Sequence, residues 1–212
     1  MTAPSAFPKR VFITGTDTNI GKTVVSAILM AGTGGDYWKP VQSGTVDGTD
    51  SQFIQSLLGC SAERIHKERF VLSQPLSPHA AALIDDEHIN LSDFVLPEAG
   101  DRNLIVEGAG GVLVPLNEHH LVVDLIERLD LPAIVVARSG LGTINHTLMT
   151  LRTLRSQGVQ VIGVIMNGTK NQSNRQAIEH YGQIPVIGEV EPLAVLSPDV
   201  LKSAFKQFSL AA

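Results

Sequence analysis

A glycine-containing loop directly behind a short apolar run is the feature that most restricts how this chain can fold. The run occupies residues 11–13, and the loop, residues 15–23, reads GTDTNIGKT. The β-branched and aromatic side chains of the run predict a buried strand, and residues 24–30 predict a helix. Strand, glycine loop, Gly-Lys-Thr and helix are the parts of a P-loop, whose backbone N–H groups face phosphates at a helix N-terminus.

The loop is one residue longer than the usual Gly-x-x-x-x-Gly-Lys-Ser/Thr pattern. Counting back from Gly21, the first glycine of that pattern falls at Thr16, and the glycine that is present is Gly15. We expect Lys22 to bridge phosphate oxygens and the Thr23 hydroxyl to bind Mg²⁺. The alternative is a surface turn that happens to contain Gly-Lys-Thr before a helix.

Apolar runs alternate with helical patterns along the rest of the chain. Further strands are predicted at residues 37–41, 103–107, 133–137, 161–166 and 186–188. Helices are predicted at residues 22–31, 50–58, 78–83, 121–129, 172–181 and 198–208, with a glycine loop and a helix over 139–156. This order predicts an α/β fold, a single P-loop NTPase-like domain over residues 1–212 with helices on both faces of a parallel sheet. The strand order stays open, and the brief connection to strand 37–41 predicts an unusually short first helix.

Composition excludes several classes of protein. At 212 residues, with 43% hydrophobic and 17% charged residues, the chain is typical of one globular domain. The net charge of −5 disfavours a nucleic-acid partner. No run approaches the ~18 apolar residues of a membrane span, and residues 1–10 contain no apolar signal core. Cys60 is the single cysteine, so no disulfide forms within the chain, and a cytoplasmic location is expected.

Ligands of parallel sheets collect at the carboxyl ends of the strands, which draws attention to the polar residues there. Glu107 ends an apolar strand beside a glycine-rich turn, where it is either the acidic Mg²⁺ partner of a P-loop or a structural cap of the turn. Lys39 ends the second predicted strand, within reach of the same phosphates. Asp47 and Asp50 open a helix, and spacing alone does not distinguish a metal ligand from an N-cap.

Two further positions at this edge carry polar groups. Asn167 follows strand 161–166 and is suited either to reading a base edge or to capping its loop. Residues 140–146, with the sequence GLGTINH, open a helix in a geometry that suits an anion such as a carboxylate. The alternative for this segment is a helix entry with no ligand.

Five motifs in order resemble the dethiobiotin synthetase family of biotin biosynthesis. They are GTDTNIGKT at 15–23, KPVQSG at 39–44, SPH at 77–79, VEGAGG at 106–111 and LGTINH at 141–146. The resemblance runs from Val11 to about Glu189, and the lengthened P-loop is itself typical of the family.

The resemblance implies a ring closure that depends on ATP and Mg²⁺. The substrate is 7,8-diaminononanoate, and CO₂ supplies the ureido carbon. One amine becomes a carbamate, whose oxygen attacks the γ-phosphate to give a carbamic–phosphoric anhydride. The second amine then closes the ring and expels phosphate. Attack by one anion on another needs concentrated positive charge, which Lys22, Lys39 and Mg²⁺ would supply.

The resemblance also assigns roles to individual residues. It implies that Lys39 is catalytic, that Thr18 and Lys22 contact the phosphates and the reacting group, and that Ser43 contacts the substrate. The implied metal ligands are Thr23, Asp50 and Glu107, with Asp50 preferred over Asp47. The implied nucleotide-binding residues, several through their backbone, are Asn19, Ile20, Gly21, Lys22, Thr23, Val24, Asp50, Glu107, Gly108, Ala109 and Gly110, with Asn167 near the adenine. The family is dimeric, and Thr143 and Asn145 of the partner subunit are implied to hold the substrate's carboxylate tail.

Two other classes of P-loop protein compete with this interpretation. A partition-type ATPase usually carries an additional lysine near the start of the P-loop, where this chain has Thr16 and Asp17. An amidotransferase-type synthetase carries a glutaminase domain with a catalytic cysteine, and Cys60 is in no such context.

Overall fold

The computed structural model describes residues 7–46 and 48–209. The strands are β1 Arg10–Gly15, β2 Asp36–Trp38, β3 Val41–Ser43, β4 Ile65–His66, β5 Phe70–Leu72, β6 Leu104–Glu107, β7 Ala133–Arg138, β8 Val161–Asn167 and β9 Val186–Val190. The helices are α1 Lys22–Thr33, α2 Asp50–Leu58, α3 Pro78–Ile84, α4 Val122–Leu129, α5 Thr143–Ser156, α6 Gln172–Gly182 and α7 Pro198–Phe205. Single 3₁₀ turns form at Ala62–Arg64 and Leu91–Asp93.

Within the described ranges, seven strands form one parallel sheet in the order β4-β2-β6-β1-β7-β8-β9. The P-loop strand β1 is the central strand, so the loop that follows it emerges in the middle of the carboxyl edge. A small parallel sheet of β3 and β5 stands apart from it. The predicted α/β class and the parallel sheet are confirmed.

Hydrophobic residues pack on both faces of the large sheet. Successive residues of β1 separate by face: Val11 and Ile13 join one cluster with α1 and α7, and Phe12 joins another with α4, α5 and α6. A strand buried on both faces needs apolar residues at consecutive positions, which explains why β1 shows no polar alternation.

Of the helices in the described ranges, none combines the length and the apolar character needed to cross a bilayer.

One predicted strand and one predicted helix length are wrong. The strand predicted at 37–41 is two strands, because β2 ends at Trp38 and β3 begins at Val41 in the other sheet. Pro40 has no N–H to donate to a strand ladder, so the chain changes sheets at Lys39 and Pro40. The first helix is also of ordinary length, with 12 residues. The short strands β4 and β5, in the irregular segment before α3, have no counterpart among the predicted elements.

Candidate active site

The P-loop wraps the N-terminus of α1 in a conformation that depends on its second glycine. Gly21 adopts φ +92°, in the left-handed region, and forms the N-cap of α1 without a side chain. A Cβ atom at this position would lie 2.0 Å from Nδ2 of Asn167. Asn167 also donates from Nδ2 to the carbonyl of Ile20 at 2.9 Å, so the end of β8 holds the P-loop in place.

Lys22 is buried at the start of α1, and no carboxylate of residues 7–46 or 48–209 lies within hydrogen-bonding distance of its Nζ. Its Nζ donates to the carbonyl oxygen of Asp17 at 2.8 Å. The pKa of Lys22 is lowered to about 8, chiefly by burial and also by the charge of neighbouring Lys39, although the carboxylates of Glu107, Asp50 and Asp17 oppose the shift. A bound polyanion would favour the charged form of this lysine, so the position suits phosphate.

Two carboxylates, one lysine and one hydroxyl meet beside Lys22. The Thr23 hydroxyl lies 2.9 Å from Oε1 of Glu107 and 3.2 Å from Oδ1 of Asp50. Nζ of Lys39 lies 3.1 Å from Oε1 of Glu107 and also pairs with Oδ2 of Asp50. These residues come from α1, the end of β6, the start of α2 and the junction after β2. The structure therefore brings together residues that are far apart in the sequence and were proposed separately.

The N-terminus of α2 is built so that Asp50 is free for this cluster. Thr49 is the N-cap, because its hydroxyl accepts from the backbone N–H of Gln52, whose side chain in turn accepts from the N–H of Thr49. The N–H of Asp50 donates to Oε1 of Gln42 at 3.1 Å. The N-cap alternative for Asp50 is thus wrong, and Asp47 lies outside the described residues.

Glu107 is almost completely buried and has polar partners on both carboxylate oxygens. Oε1 faces Thr23 and Lys39, and Oε2 accepts from the hydroxyl of Tyr37 at 3.0 Å. Within the described ranges its side chain makes no hydrogen bond to the glycine-rich turn, so the cap alternative for Glu107 is wrong. Tyr37 is a site residue that the sequence did not reveal, since it read as one more aromatic strand residue.

Burial and charge oppose each other in setting the pKa of Lys39, but they act in the same direction on the pKa of Tyr37. Burial acts to lower the pKa of Lys39, but the carboxylates of Glu107 and Asp50 outweigh it, so the pKa is raised. The pKa of the Tyr37 hydroxyl is raised by burial and by the charge of Glu107. Both groups therefore remain protonated hydrogen-bond donors at neutral pH.

The oxygens of Thr23, Asp50 and Glu107 fit a magnesium ion that is held partly by phosphate. Mg²⁺ prefers oxygen ligands and in nucleotide sites takes one or two carboxylates, with phosphates and water completing the shell. No group of three or more His, Cys, Asp or Glu side chains in the described ranges forms a metal cage. Two carboxylates with a hydroxyl are nevertheless the donor set expected of a P-loop magnesium site.

A cleft of about 980 Å³ opens above these groups. The sequence-predicted residues that line it are Thr18, Asn19, Gly21, Lys22, Thr23, Val24, Lys39, Ser43, Asp50, Glu107, Ala109 and Gly110. The lining residues to which the sequence assigned no role are Gln42, Phe53, Pro75, Leu76, Ser77, Pro78 and Val114. Gln42 lies in the KPVQSG motif and Ser77 and Pro78 lie in the SPH motif, whereas the other four residues are apolar and belong to no motif.

Several predicted residues lie outside the cleft lining. Ile20 is buried in the core beneath the P-loop, and the side chain of Thr143 is buried 3.4 Å from the hydroxyl of Thr147. Asn145 is exposed in the first turn of α5. Gly108 follows β6 and does not contribute to the wall, and Asn167 supports the P-loop from behind.

Comparison with known proteins gives close sequence relatives. The family described as "AAA domain" matches residues 9–200. An ATP-dependent dethiobiotin synthetase from Paramagnetospirillum magneticum is 56% identical, over 88% of this chain and 90% of that protein. A second ATP-dependent dethiobiotin synthetase, from Lawsonia intracellularis, is 46% identical over 91% of this chain and 92% of its own.

Solved structures with the same architecture are more distant. A plasmid partition protein from Borrelia burgdorferi superposes with a TM-score of 0.58 at 12% identity, covering 94% of this chain and 96% of that one. The MinC:MinD cell division complex from Aquifex aeolicus gives 0.56 at 14% identity, covering 94% and 93% of the two chains. At these identities the likeness concerns the fold alone.

Proposed function

Because this chain belongs to the dethiobiotin synthetase family, we propose that its cleft binds ATP, Mg²⁺ and 7,8-diaminononanoate side by side. Its reaction is the ATP-dependent synthesis of dethiobiotin in biotin biosynthesis, a ligase reaction. The observation that carries the proposal is the convergence of Lys39, Thr23, Asp50 and Glu107 beside Lys22.

The P-loop residues are positioned to bind the triphosphate. Backbone N–H groups of residues 19–24 surround the N-terminus of α1, where the helix dipole favours anions. Lys22, Thr18, Ala109 and Gly110 all border the cleft, and Lys22 and Thr18 would contact the γ-phosphate. Asn167 reaches the P-loop from β8, which supports a place for adenine near this strand.

The residues after β2 serve the amine and carboxylation steps. Ser43 lies in the cleft wall, and its buried hydroxyl oxygen has no hydrogen-bond partner within the described ranges, so it is available to a substrate amine. Lys39 supplies positive charge where the carbamate made from CO₂ meets the γ-phosphate. Mg²⁺, held by Thr23, Asp50 and Glu107, would neutralise charge that develops on the phosphate oxygens.

The carboxylate tail of the substrate is assigned to a partner subunit in a homodimer. Thr143 and Asn145 stand at the N-terminus of α5, where backbone N–H groups attract an anion, but they are outside the cleft of their own subunit. Leu141 is fully exposed beside them, and Met149 on the same helix is 56% exposed, which supports contact of this face with a second copy. A cytoplasmic location is part of the same proposal.

Product formation tests this function directly. Given ATP, Mg²⁺, bicarbonate and 7,8-diaminononanoate, the protein should release ADP and dethiobiotin in equal amounts. Omitting the diamine should stop ADP release as well. ATP turnover that continues at the same rate without the diamine would contradict the proposal and favour a nucleotide-switch ATPase.

A further inference from the structure

The hydroxyl of Tyr37 has a single hydrogen-bond partner among the described residues, which is Oε2 of Glu107 at 3.0 Å. Tyr37 is fully buried, and Glu107 is 1% exposed. We propose that Tyr37 is a positioning residue that orients the Glu107 carboxylate for the metal ion. The inference rests on the proposed function, in which Glu107 is a ligand of Mg²⁺.

Sheet register accounts for the contact. β2 and β6 are parallel neighbours in which Tyr37 pairs with Ile105, so Glu107 stands two residues further along β6 on the same face. The Tyr37 ring packs with the hydrophobic cluster beneath α1. A ring fixed in this way presents its hydroxyl at a constant place under the end of β6, where Glu107 is its one acceptor in the part of the chain that the structure describes.

The two carboxylate oxygens of Glu107 consequently have different hydrogen-bond partners and different roles. Oε2 is held by Tyr37 on the buried side, whereas Oε1 faces Thr23 and Lys39 at the cleft. Without the hydroxyl, Oε2 would be a buried acceptor with no donor among the described residues, and the carboxylate would gain by rotating. Rotation removes Oε1 from the orientation in which it meets Thr23.

Outer groups that orient a metal ligand commonly contribute ~10–100-fold to metal affinity. We therefore expect Tyr37→Phe to weaken divalent-metal binding by about that factor. The ring is retained, so the core contacts beneath α1 are preserved. Nucleotide binding without metal should stay unchanged, because Tyr37 does not line the cleft.

The test titrates Mn²⁺ into the ADP-bound protein and measures free Mn²⁺ by electron paramagnetic resonance. Tyr181→Phe is the matched control, since Tyr181 is the second of the two tyrosines and lies exposed on α6. The inference predicts wild-type Mn²⁺ affinity for Tyr181→Phe, a ~10–100-fold weaker affinity for Tyr37→Phe, and equal metal-free ADP affinity in all three proteins. Equal Mn²⁺ affinity in Tyr37→Phe and wild type would overturn it, as would parallel losses of ADP and Mn²⁺ affinity. Absence of saturable Mn²⁺ binding in the wild type would instead refute the proposed metal site itself.

A second measurement does not depend on the folding of Tyr37→Phe. In Tyr181→Phe protein labelled with 3-fluorotyrosine, Tyr37 is the only labelled residue. Adding Mg²⁺ to the ADP complex should shift the ¹⁹F resonance, because the charge on Glu107 is then shared with the metal. The same addition to the Glu107→Gln version should give no shift. If the ¹⁹F resonance of the protein that retains Glu107 did not shift on addition of Mg²⁺, the inference would be overturned.

Discussion

Replacing Lys39 by methionine is the perturbation that separates the electrostatic roles of the cluster most clearly. The Lys39 ammonium lies 3.1 Å from Oε1 of Glu107. At an effective dielectric constant of ~20 the attraction is about 5 kcal/mol, and desolvation of the two charges offsets part of it. Removing one partner of a buried pair commonly costs ~3–5 kcal/mol, because the other charge remains buried. Asp50, with a side chain 30% exposed, is partly relieved by water, so the deficit falls on Glu107.

We therefore expect Lys39→Met to lower the free energy of unfolding by about 3 kcal/mol or more in metal-free buffer. The matched control is Lys170→Met, which breaks the exposed pair with Glu191 and should cost less than about 1 kcal/mol. Mg²⁺ should stabilise Lys39→Met more than the wild type, because it replaces the lost cation between two carboxylates. Turnover should fall ~10²–10³-fold, with a much smaller loss of ATP affinity.

Urea unfolding with and without Mg²⁺, combined with steady-state kinetics, checks these expectations. Equal stabilisation of Lys39→Met and wild type by Mg²⁺ would refute the idea that the lysine and the metal neutralise the same carboxylates. Equal losses of turnover and of ATP affinity would show that Lys39 serves binding rather than catalysis.

Three further predictions concern the P-loop, the start of α2 and the subunit boundary. Gly21→Ala should abolish ATP binding, because φ is +92° at this position and the added Cβ would collide with the side chain of Asn167. Gly34→Ala is the control: φ is +66° there but the space around it is open, so this variant should bind ATP normally in equilibrium dialysis. Thr49→Ala should lower stability by about 1 kcal/mol in urea unfolding, through loss of the N-cap of α2, and retention of full stability would contradict the capping geometry. Asn145→Ala should raise KM for 7,8-diaminononanoate while KM for ATP is unchanged. Mixing Asn145→Ala with Lys39→Met subunits should restore activity, and no recovery after subunit exchange would argue against a shared site.

The sequence predicted the P-loop, the parallel sheet and most helix positions because these depend on local patterns. A buried parallel strand needs a continuous apolar run, and such runs at residues 103–107 and 133–137 were recognisable without knowledge of their neighbours. The prediction of one strand at 37–41 was wrong because the strand-like pattern continues across Lys39 and Pro40. The backbone hydrogen bonds, in contrast, pass from the large sheet before these residues to the small sheet after them. That switch depends on partners distant in sequence.

The candidate site was predictable where chemistry coincides with a motif. Lys22, Thr23 and Glu107 stand at strand ends or in a glycine loop, which marks them from the sequence alone. Tyr37 and Phe53 could not be recognised in this way, because aromatic residues in a strand or helix pattern are ordinarily core residues. Their relation to the cleft arises only when β2 is placed beside β6 and α2 is placed over the P-loop.

The fate of the carbon dioxide oxygens tests the account most directly. If a carbamate oxygen attacks the γ-phosphate and the second amine then displaces phosphate, one oxygen of CO₂ leaves in the phosphate. Using ¹⁸O-labelled CO₂ at times short enough to limit exchange with water, mass spectrometry should find one ¹⁸O per released phosphate. Dethiobiotin formed alongside unlabelled phosphate would contradict the proposed use of ATP in this cleft.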